Sequence, residues 1–211
     1  MKVVVIGNSR DLLDRDDGKK IDACDRIIRI NSFRLSGYTR QVGSRIDIVC
    51  ICISPDLVKW ALIHSADLIC QAKELWTTSW RGDFSDEEVA TAMAIVKRKP
   101  EDLIFCDDTG HKDVMMELYD LVYKTAEKRE GPKTQTKDGQ KFLPTTGFQT
   151  VHLARARFPT ADLYITGFGL NSPIDLRRFD TSGVEIWPGH DIPAERELLL
   201  RGIKEGRWKK L

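Results

Sequence analysis

With 33 Lys plus Arg against 32 Asp plus Glu, this 211-residue chain has a formal net charge of +1 at pH 7. That balance argues against a general nucleic-acid binder, which needs a basic surplus gathered in a patch or stripe. The length suits a single domain, or one domain with a substantial insertion, and no apolar run is long enough to span a bilayer.

The chain opens on KVVVIG (2–7), which reads as a buried first strand. It looks superficially like a signal peptide, but the apolar run is too short, has no small-residue cleavage site, and passes straight into Gly7-Asn8-Ser9. DRIIRIN (25–31) alternates polar and apolar, RIDIVCICI (45–53) is strand-like, and Pro55 starts a short helix toward His64. ADLICQ (66–71) reads as a further strand. SDEEVATAMAIVKRK (85–99) is a helix, with Ser85 and Glu88 in capping-box spacing. DLIFCD (102–107) is a strand and KDVMMELYDLVYKTAEKR (112–129) a helix with an apolar stripe. REGPKTQTKDGQK (129–141) is polar, aperiodic and Gly/Pro-bearing, so it is expected to be a mobile loop. A helix over 147–157, the strand DLYITGFG (162–169), the strand VEIW (184–187) and a last helix over 192–205 complete the pattern.

Strands alternating with helices predict an α/β fold, a mainly parallel sheet with helices on both faces, in a single domain without internal repeats. Five cysteines are an odd number without CxxC spacing, and Cys50 and Cys52 are two positions on one face of a strand. A reducing cytoplasm is the simplest expectation.

In such sheets ligands bind beyond the carboxyl ends of strands, which makes the strand exits the places to search. After the first strand, Gly7 permits close backbone approach, Asn8 and Ser9 supply short polar groups, and exposed amides there would suit a phosphate. Asn31 ends the second strand with both a donor and an acceptor. In FLPTTGFQTVHLA, the residues Pro144, Thr145, Thr146 and Gly147 precede an amphipathic segment, so threonines and amides sit at a helix N-terminus ready for a carboxylate or phosphate. Gly167 and Gly169 end a strand around Phe168 and leave room for a ligand. Each of these has a purely structural alternative as a turn or cap. Asp14-Arg15-Asp16 has the form of a metal-binding Asp-x-Asp, but it lies in the charged run DRDDGKK and reads as solvated loop charge. With no His/Cys cluster either, no metal is expected. Trp60, Trp76 and Trp80 lie in the middle of the chain, where buried packing is the commoner use of tryptophan.

The C-terminal stretch WPGHDIPAERELLL reads as a helix start, with Asp191 as N-cap, Pro193 in the first turn, and Leu198 and Leu199 opening an apolar face. On these residues alone His190 is only a polar residue before a helix.

In order, these segments resemble the motifs of glycosyltransferase family 29, the eukaryotic-type sialyltransferases. The large sialyl motif is matched by Gly7-Asn8-Ser9, Gly18 to Asp22, Asp25, Arg29-Ile30-Asn31, Gly37 and Val42-Gly43; the small motif by LPTTG through ITGFGLN; and the very small motif by His190 and Glu195 in HDIPAE. The resemblance implies a GT-A-like, Rossmann-type fold and an inverting, metal-independent transfer from a CMP-activated acidic sugar to a glycan hydroxyl. It implies that Asn8 and Asn31 contact the CMP phosphate and ribose, that Thr145, Thr146 and Gly147 hold nucleotide or sugar carboxylate, and that Gly167 and Gly169 line the cytidine. His190 would be the base and Glu195 its supporting residue. The family has a further His-aromatic motif before the very small one; here DLRRFD puts Arg178 at the histidine position and Phe179 at the aromatic one. Arg178 can stabilise a departing phosphate by charge but cannot titrate at neutral pH. The disulfide that joins the family's large and small motifs has no counterpart, which with no anchor in view suggests a cytoplasmic, microbial or viral version. The donor sugar stays open between sialic acid and a Kdo-like acid. An inactive nucleotide- or glycan-binding module, or a CMP-sugar hydrolase, remain the alternative readings.

Overall fold

The computed structural model describes residues 1–53, 65–130, 143–170 and 189–211. The expected helix from Pro55 to His64, the loop from 131 onward, the strand 184–187, Trp60 and Arg178 lie outside the described residues.

Seven strands form one sheet: β1 (Lys2–Ile6), β2 (Arg26–Ile30), β3 (Ile48–Ile51), β4 (Glu74–Thr77), β5 (Leu103–Ile104), β6 (Asp162–Thr166) and β7 (Lys209–Lys210). Their order is β5-β4-β3-β2-β1-β6-β7 and every pairing is parallel, so all strand exits share one rim of the molecule. The two-residue period of a strand sorts the core into two layers. Val4, Ile6, Ile27 and Val49 face α1 (Gly18–Asp22), α2 (Thr39–Val42), α3 (Ala66–Ile69) and α4 (Asp86–Ile95). Val3, Val5, Ile28 and Ile165 face α5 (Lys112–Glu130), α6 (Thr146–Arg157) and α7 (Ile192–Lys204). Both faces of β1 are sealed, which is why KVVVI is apolar throughout instead of alternating.

Several residues that carry the family resemblance hold the fold. A Cβ on Gly18 would lie 2.1 Å from the Thr39 carbonyl oxygen, so only glycine lets α1 and α2 touch. The Asp22 carboxylate accepts from the Ser44 and Arg45 amides and the Ser44 hydroxyl at 2.9–3.1 Å. Arg29 is buried in β2, donates to the Val42 and Arg45 carbonyls at 2.9 Å each, and is lowered by burial to about 10, still charged at neutral pH.

One strand expectation is corrected. ADLICQ does not pair: Ala66–Ile69 is a helical turn, α3, and the strand is the next segment, ELWT, in register with β3 from Ile48 opposite Glu74. A short apolar run such as LIC fits helix and strand equally well, and burial of Leu75 and Trp76 in the two layers decided between the segments. The sequence reading did not name α1, α2 or β7. The other differences are at ends: β3 covers Ile48–Ile51, so Cys52 lies just beyond it. β5 stops at Ile104 because the Phe105 amide turns to the Asp108 carboxylate. α4 stops at Ile95, short of a left-handed Lys97 (φ 56) and Pro100. β6 stops at Thr166 because Gly167 adopts φ +73. α5 continues to Glu130, one residue beyond the expected helix.

Candidate active site

The strand order reverses direction at β1, whose neighbours β2 and β6 come from opposite halves of the chain. That switch point opens a crevice at the strand exits. Here Gly7 and Gly167 pack backbone to backbone. A Cβ on Gly7 would sit 2.1 Å from the Gly167 oxygen, and one on Gly167 would sit 2.7 Å from the Gly7 oxygen. The Gly7 amide donates to the Thr166 carbonyl (2.8 Å) and the Ser9 amide to the Gly167 carbonyl (2.9 Å). The expected exposed amides for phosphate are therefore committed to the fold at Gly7 and Ser9, and the Ser9 hydroxyl is buried without a partner. Only a single 3-10 turn, Arg10–Leu12, follows.

Asn8 points instead to the neighbouring strand exit. Its Nδ2 donates to the Ile30 carbonyl (3.0 Å) and the Ser32 carbonyl (3.1 Å), on either side of Asn31. Asn31 is held in the left-handed region (φ 50), where asparagine is among the few side chains tolerated. Its Oδ1 accepts the Cys52 amide at 2.7 Å. The two asparagines thus have complementary spare valences: Asn8 retains its acceptor oxygen and Asn31 its donor nitrogen.

The N-terminus of α6 is the third component. Thr145 caps it, its hydroxyl accepting the Phe148 amide at 3.1 Å, a cap that contributes about 1 kcal/mol. Glu195, in the first turn of α7, accepts the Thr145 amide and the Thr145 hydroxyl, both at 2.6 Å. The Gln149 side chain secures the Pro144 carbonyl at 2.7 Å. With Thr145 and Phe148 engaged, the Thr146 and Gly147 amides have no hydrogen bond to a described residue and form an open helix N-terminus. A Cβ on Gly147 would stand 3.4 Å from the Phe168 ring and 3.7 Å from Ile30, so this terminus lies against the exits of β6 and β2. Phe168 sits equally close to Gly7 and fills the space between the loops.

His190 precedes α7, whose cap is as expected: the Asp191 carboxylate accepts the Ala194 amide at 2.9 Å. The His190 Nδ1 lies 2.6 Å from the Leu143 carbonyl oxygen, and a carbonyl can only accept, so Nδ1 carries the proton and Nε2 the lone pair. Burial lowers the imidazole pKa below its ordinary value, and the Leu143 hydrogen bond offsets part of that. The Leu143 amide also donates to the Gly189 carbonyl at 3.0 Å, so residues 143–145 and 189–195 are joined at both ends. Glu195 is buried, and burial pushes its carboxyl up to about 8.

The structure therefore brings Gly7, Asn8, Asn31, Thr145, Thr146, Gly147, Gly167, Phe168 and Gly169 to one rim, with His190 and Glu195 tied to the α6 end of it. Arg178 lies outside the described residues. Asp16 is an exposed loop charge paired with Arg40, as read, whereas Arg15 is not solvated: it is partly buried and pairs with the buried Asp17 and the Leu211 carbonyl. Trp76 is fully buried, and Trp80 packs on Tyr119 and Lys112. Sequence reasoning missed Leu143, because a backbone carbonyl leaves no mark on residue type, and Arg196, whose partner is also a carbonyl.

The chain belongs to glycosyltransferase family 29, the sialyltransferases: the family's sequence profile matches residues 1–206. It is a CMP-sugar-dependent glycosyltransferase of the sialyltransferase type. Among solved structures it is similar to a mammalian sialyltransferase in complex with Gal-beta-1-3GalNAc-ortho-nitrophenol (TM-score 0.63, 16% identity, 100% of this chain and 68% of that one). It is also similar to the sialyltransferase CstII from Campylobacter jejuni in complex with the substrate analogue CMP-3FNeuAc (TM-score 0.53, 16% identity, 99% of this chain and 80% of that one). At such identities the likeness establishes the fold. Comparison with curated proteins finds no match. Among the described residues no helix is long and apolar enough to cross a membrane.

Proposed function

We propose that this chain transfers an acidic sugar, sialic acid or a Kdo-like acid, from its CMP donor to a glycan hydroxyl, with inversion and without a metal. The observation that carries the mechanism is the His190 tautomer, with Nδ1–H donated to the Leu143 carbonyl and the ring lone pair therefore on Nε2. A neutral imidazole is suited to take the acceptor proton near pH 7, and burial favours that neutral form. The acceptor oxygen attacks the anomeric carbon on the face opposite CMP. Its proton passes to Nε2, and the bond to the phosphate oxygen breaks with its electron pair staying on CMP. One displacement inverts the anomeric centre.

The remaining groups divide the donor by chemistry. Asn31 Nδ2 donates to a phosphate oxygen, while Asn8 Oδ1 accepts from a ribose hydroxyl. The Thr146 and Gly147 amides, in the positive field of the α6 N-terminus, take an anionic oxygen. Gly167, Phe168 and Gly169 line the cytidine, with Gly7 giving them room. CMP leaves with one phosphate, so fixed dipoles can stabilise the departing charge where a diphosphate often needs a metal. Arg178 adds its charge to that phosphate, and Glu195 acts as a positioning residue through Thr145. Sialic acid is favoured over Kdo by family membership and by the likeness to CstII, which was solved with CMP-3FNeuAc. All five cysteines are free, which supports a reducing, cytoplasmic setting.

The test is incubation with CMP-Neu5Ac and with CMP-Kdo, following CMP release with and without glycan acceptors and with EDTA. Release that requires an acceptor and ignores EDTA is expected. Acceptor-independent release would make the chain a hydrolase, and CMP-induced thermal stabilisation without any release would make it a binding module.

A further inference from the structure

Among the described residues, the groups assigned to the donor above are all neutral, whereas a CMP-linked acidic sugar carries one negative charge on its phosphate and another on its carboxylate. The α6 N-terminus offers roughly half an elementary charge against these. Arg15, at the end of β6, is committed to Asp17 and to the Leu211 carbonyl. Arg196 is placed differently. It lies in the second turn of α7, one residue beyond Glu195, and its Nη2 donates to the Leu170 carbonyl at 3.1 Å. Leu170 directly follows the loop in which Gly167 and Gly169 both adopt left-handed angles (φ 73 and 63). The Arg196 Nε is buried with no hydrogen-bond partner. Buried unsatisfied N–H groups are rare and need a reason, and a guanidinium does not escape the cost by losing its proton.

Resting on the donor-site reading above, we propose that Arg196 supplies the fixed positive charge that holds an anionic oxygen of the donor, on the CMP phosphate or on the sugar carboxylate. One edge of its planar fork is anchored on Leu170, which removes much of the rotamer freedom an arginine would otherwise lose on binding. Nε, the buried N–H that makes no hydrogen bond to a described residue, is the donor left to meet the anion. The charge is partly withdrawn from water at that position, where an ion contact is stronger than on an open surface. Its dependence on the neighbouring loop also follows: the same residue that binds the anion sets the Leu170 end of the segment lining the cytidine.

Binding of three probes to the wild-type chain and to Arg196→Gln, Arg196→Ala and Arg196→Lys separates the possibilities: cytidine, CMP and CMP-Neu5Ac, each measured at low and high salt. The expected result is at least about a tenfold loss of affinity in Arg196→Gln for an anionic probe, with cytidine affinity unchanged and part of the loss recovered in Arg196→Lys. A loss already seen with CMP assigns the phosphate; a loss confined to CMP-Neu5Ac assigns the sugar carboxylate. Equal losses for all three probes would mean that Arg196 only holds the loop, and unchanged affinities would leave it no role in binding; both overturn the proposal. If the uncharged variants fail to fold, the wild-type salt dependence decides: affinity for the anionic probes must fall with salt more steeply than for cytidine, and parallel behaviour overturns the idea. A wild-type chain that binds none of the probes would remove the donor site itself, and this inference with it.

Discussion

The carboxylate of Glu195 receives both the amide and the hydroxyl of Thr145, each at 2.6 Å, across 50 residues of sequence. This pair locks the start of α7 to the start of α6, and so fixes the His190 segment relative to the open amides at Thr146 and Gly147. Removing the buried carboxyl in Glu195→Ala leaves the half-buried Thr145 amide unpaired beside a cavity and should lower stability by about 3 kcal/mol, measured by urea unfolding. Glu195→Gln should be much milder, because it retains an acceptor for the Thr145 amide and matches the neutral carboxylic acid. The pH dependence has a definite sign. The folded pKa, about 8, lies above the ordinary carboxylate value, so the native state binds the extra proton between these limits. This group's contribution therefore falls as pH rises from about 4.5 to about 8, and in Glu195→Gln that slope should vanish.

His190→Ala should abolish transfer, with a loss of about a hundredfold or more in kcat, while CMP binding stays near wild type. Because burial lowers the imidazole pKa, the acid limb of kcat should lie below the ordinary histidine value of about 6.5, with full activity above it. Turnover that survives the substitution would remove His190 as the base. A deletion of Leu143 contact cannot be made by side-chain change, since the partner is its carbonyl.

Asn31→Asp retains the acceptor that receives the Cys52 amide and replaces only the spare donor with a negative oxygen. The backbone at φ 50 tolerates Asp almost as well as Asn. Cytidine should therefore bind normally while CMP affinity drops about tenfold or more, by titration calorimetry. Equal binding of CMP would show that Asn31 does not face the phosphate.

Gly7→Ala puts a methyl 2.1 Å from the Gly167 carbonyl oxygen, a backbone atom that cannot rotate away. The exits of β1 and β6 must separate, so a loss of at least about 2 kcal/mol in stability is expected together with loss of CMP binding. A variant with wild-type melting temperature and wild-type CMP affinity would contradict the packing at the switch point.

His152 is a histidine outside the reaction. It is buried between the rings of Phe148 and Trp208, at 4.7 and 5.1 Å between centroids, with Nε2 unpartnered. Burial pushes its pKa down to about 3, with Arg207 acting in the same direction. Below the ordinary histidine value of about 6.5 the unfolded chain takes up a proton that the native chain refuses, so stability is lost as pH falls from there toward about 3. His152→Gln should flatten this acid slope in chemical denaturation between about pH 6.5 and 4.5. An unchanged slope would assign acid lability to other groups.

Most of the fold was legible because its signals are local. KVVVI, RIIRI and DLYIT are strands wherever a sheet is available, Ser85 with Glu88 forms the capping box its spacing announced, and Thr145 and Asp191 cap their helices through their own side chains. The choice between ADLICQ and ELWT was not legible, since both are short and apolar and only pairing with β3 selects one. At the candidate site, residue types and order pointed to residues that the fold gathers on one rim. What each residue does there depended on its partners: Gly7 and Ser9 amides are consumed by β6, Asn8 braces Asn31, and Glu195 holds Thr145.

Read alone, the sequence settles the α/β class and the family and names the strand exits to search, because periodicity, caps and motif order are properties of neighbouring residues. Only the tertiary structure decides which polar groups remain available for a ligand. A hydrogen-bond donor can be spent once, and whether it is spent within the fold depends on a partner up to 50 residues away, as for Thr145 and Glu195. The tautomer of His190 is such a case. A histidine before a helix can be a base or a surface residue, and the Leu143 carbonyl at 2.6 Å makes Nε2 the nitrogen with the lone pair.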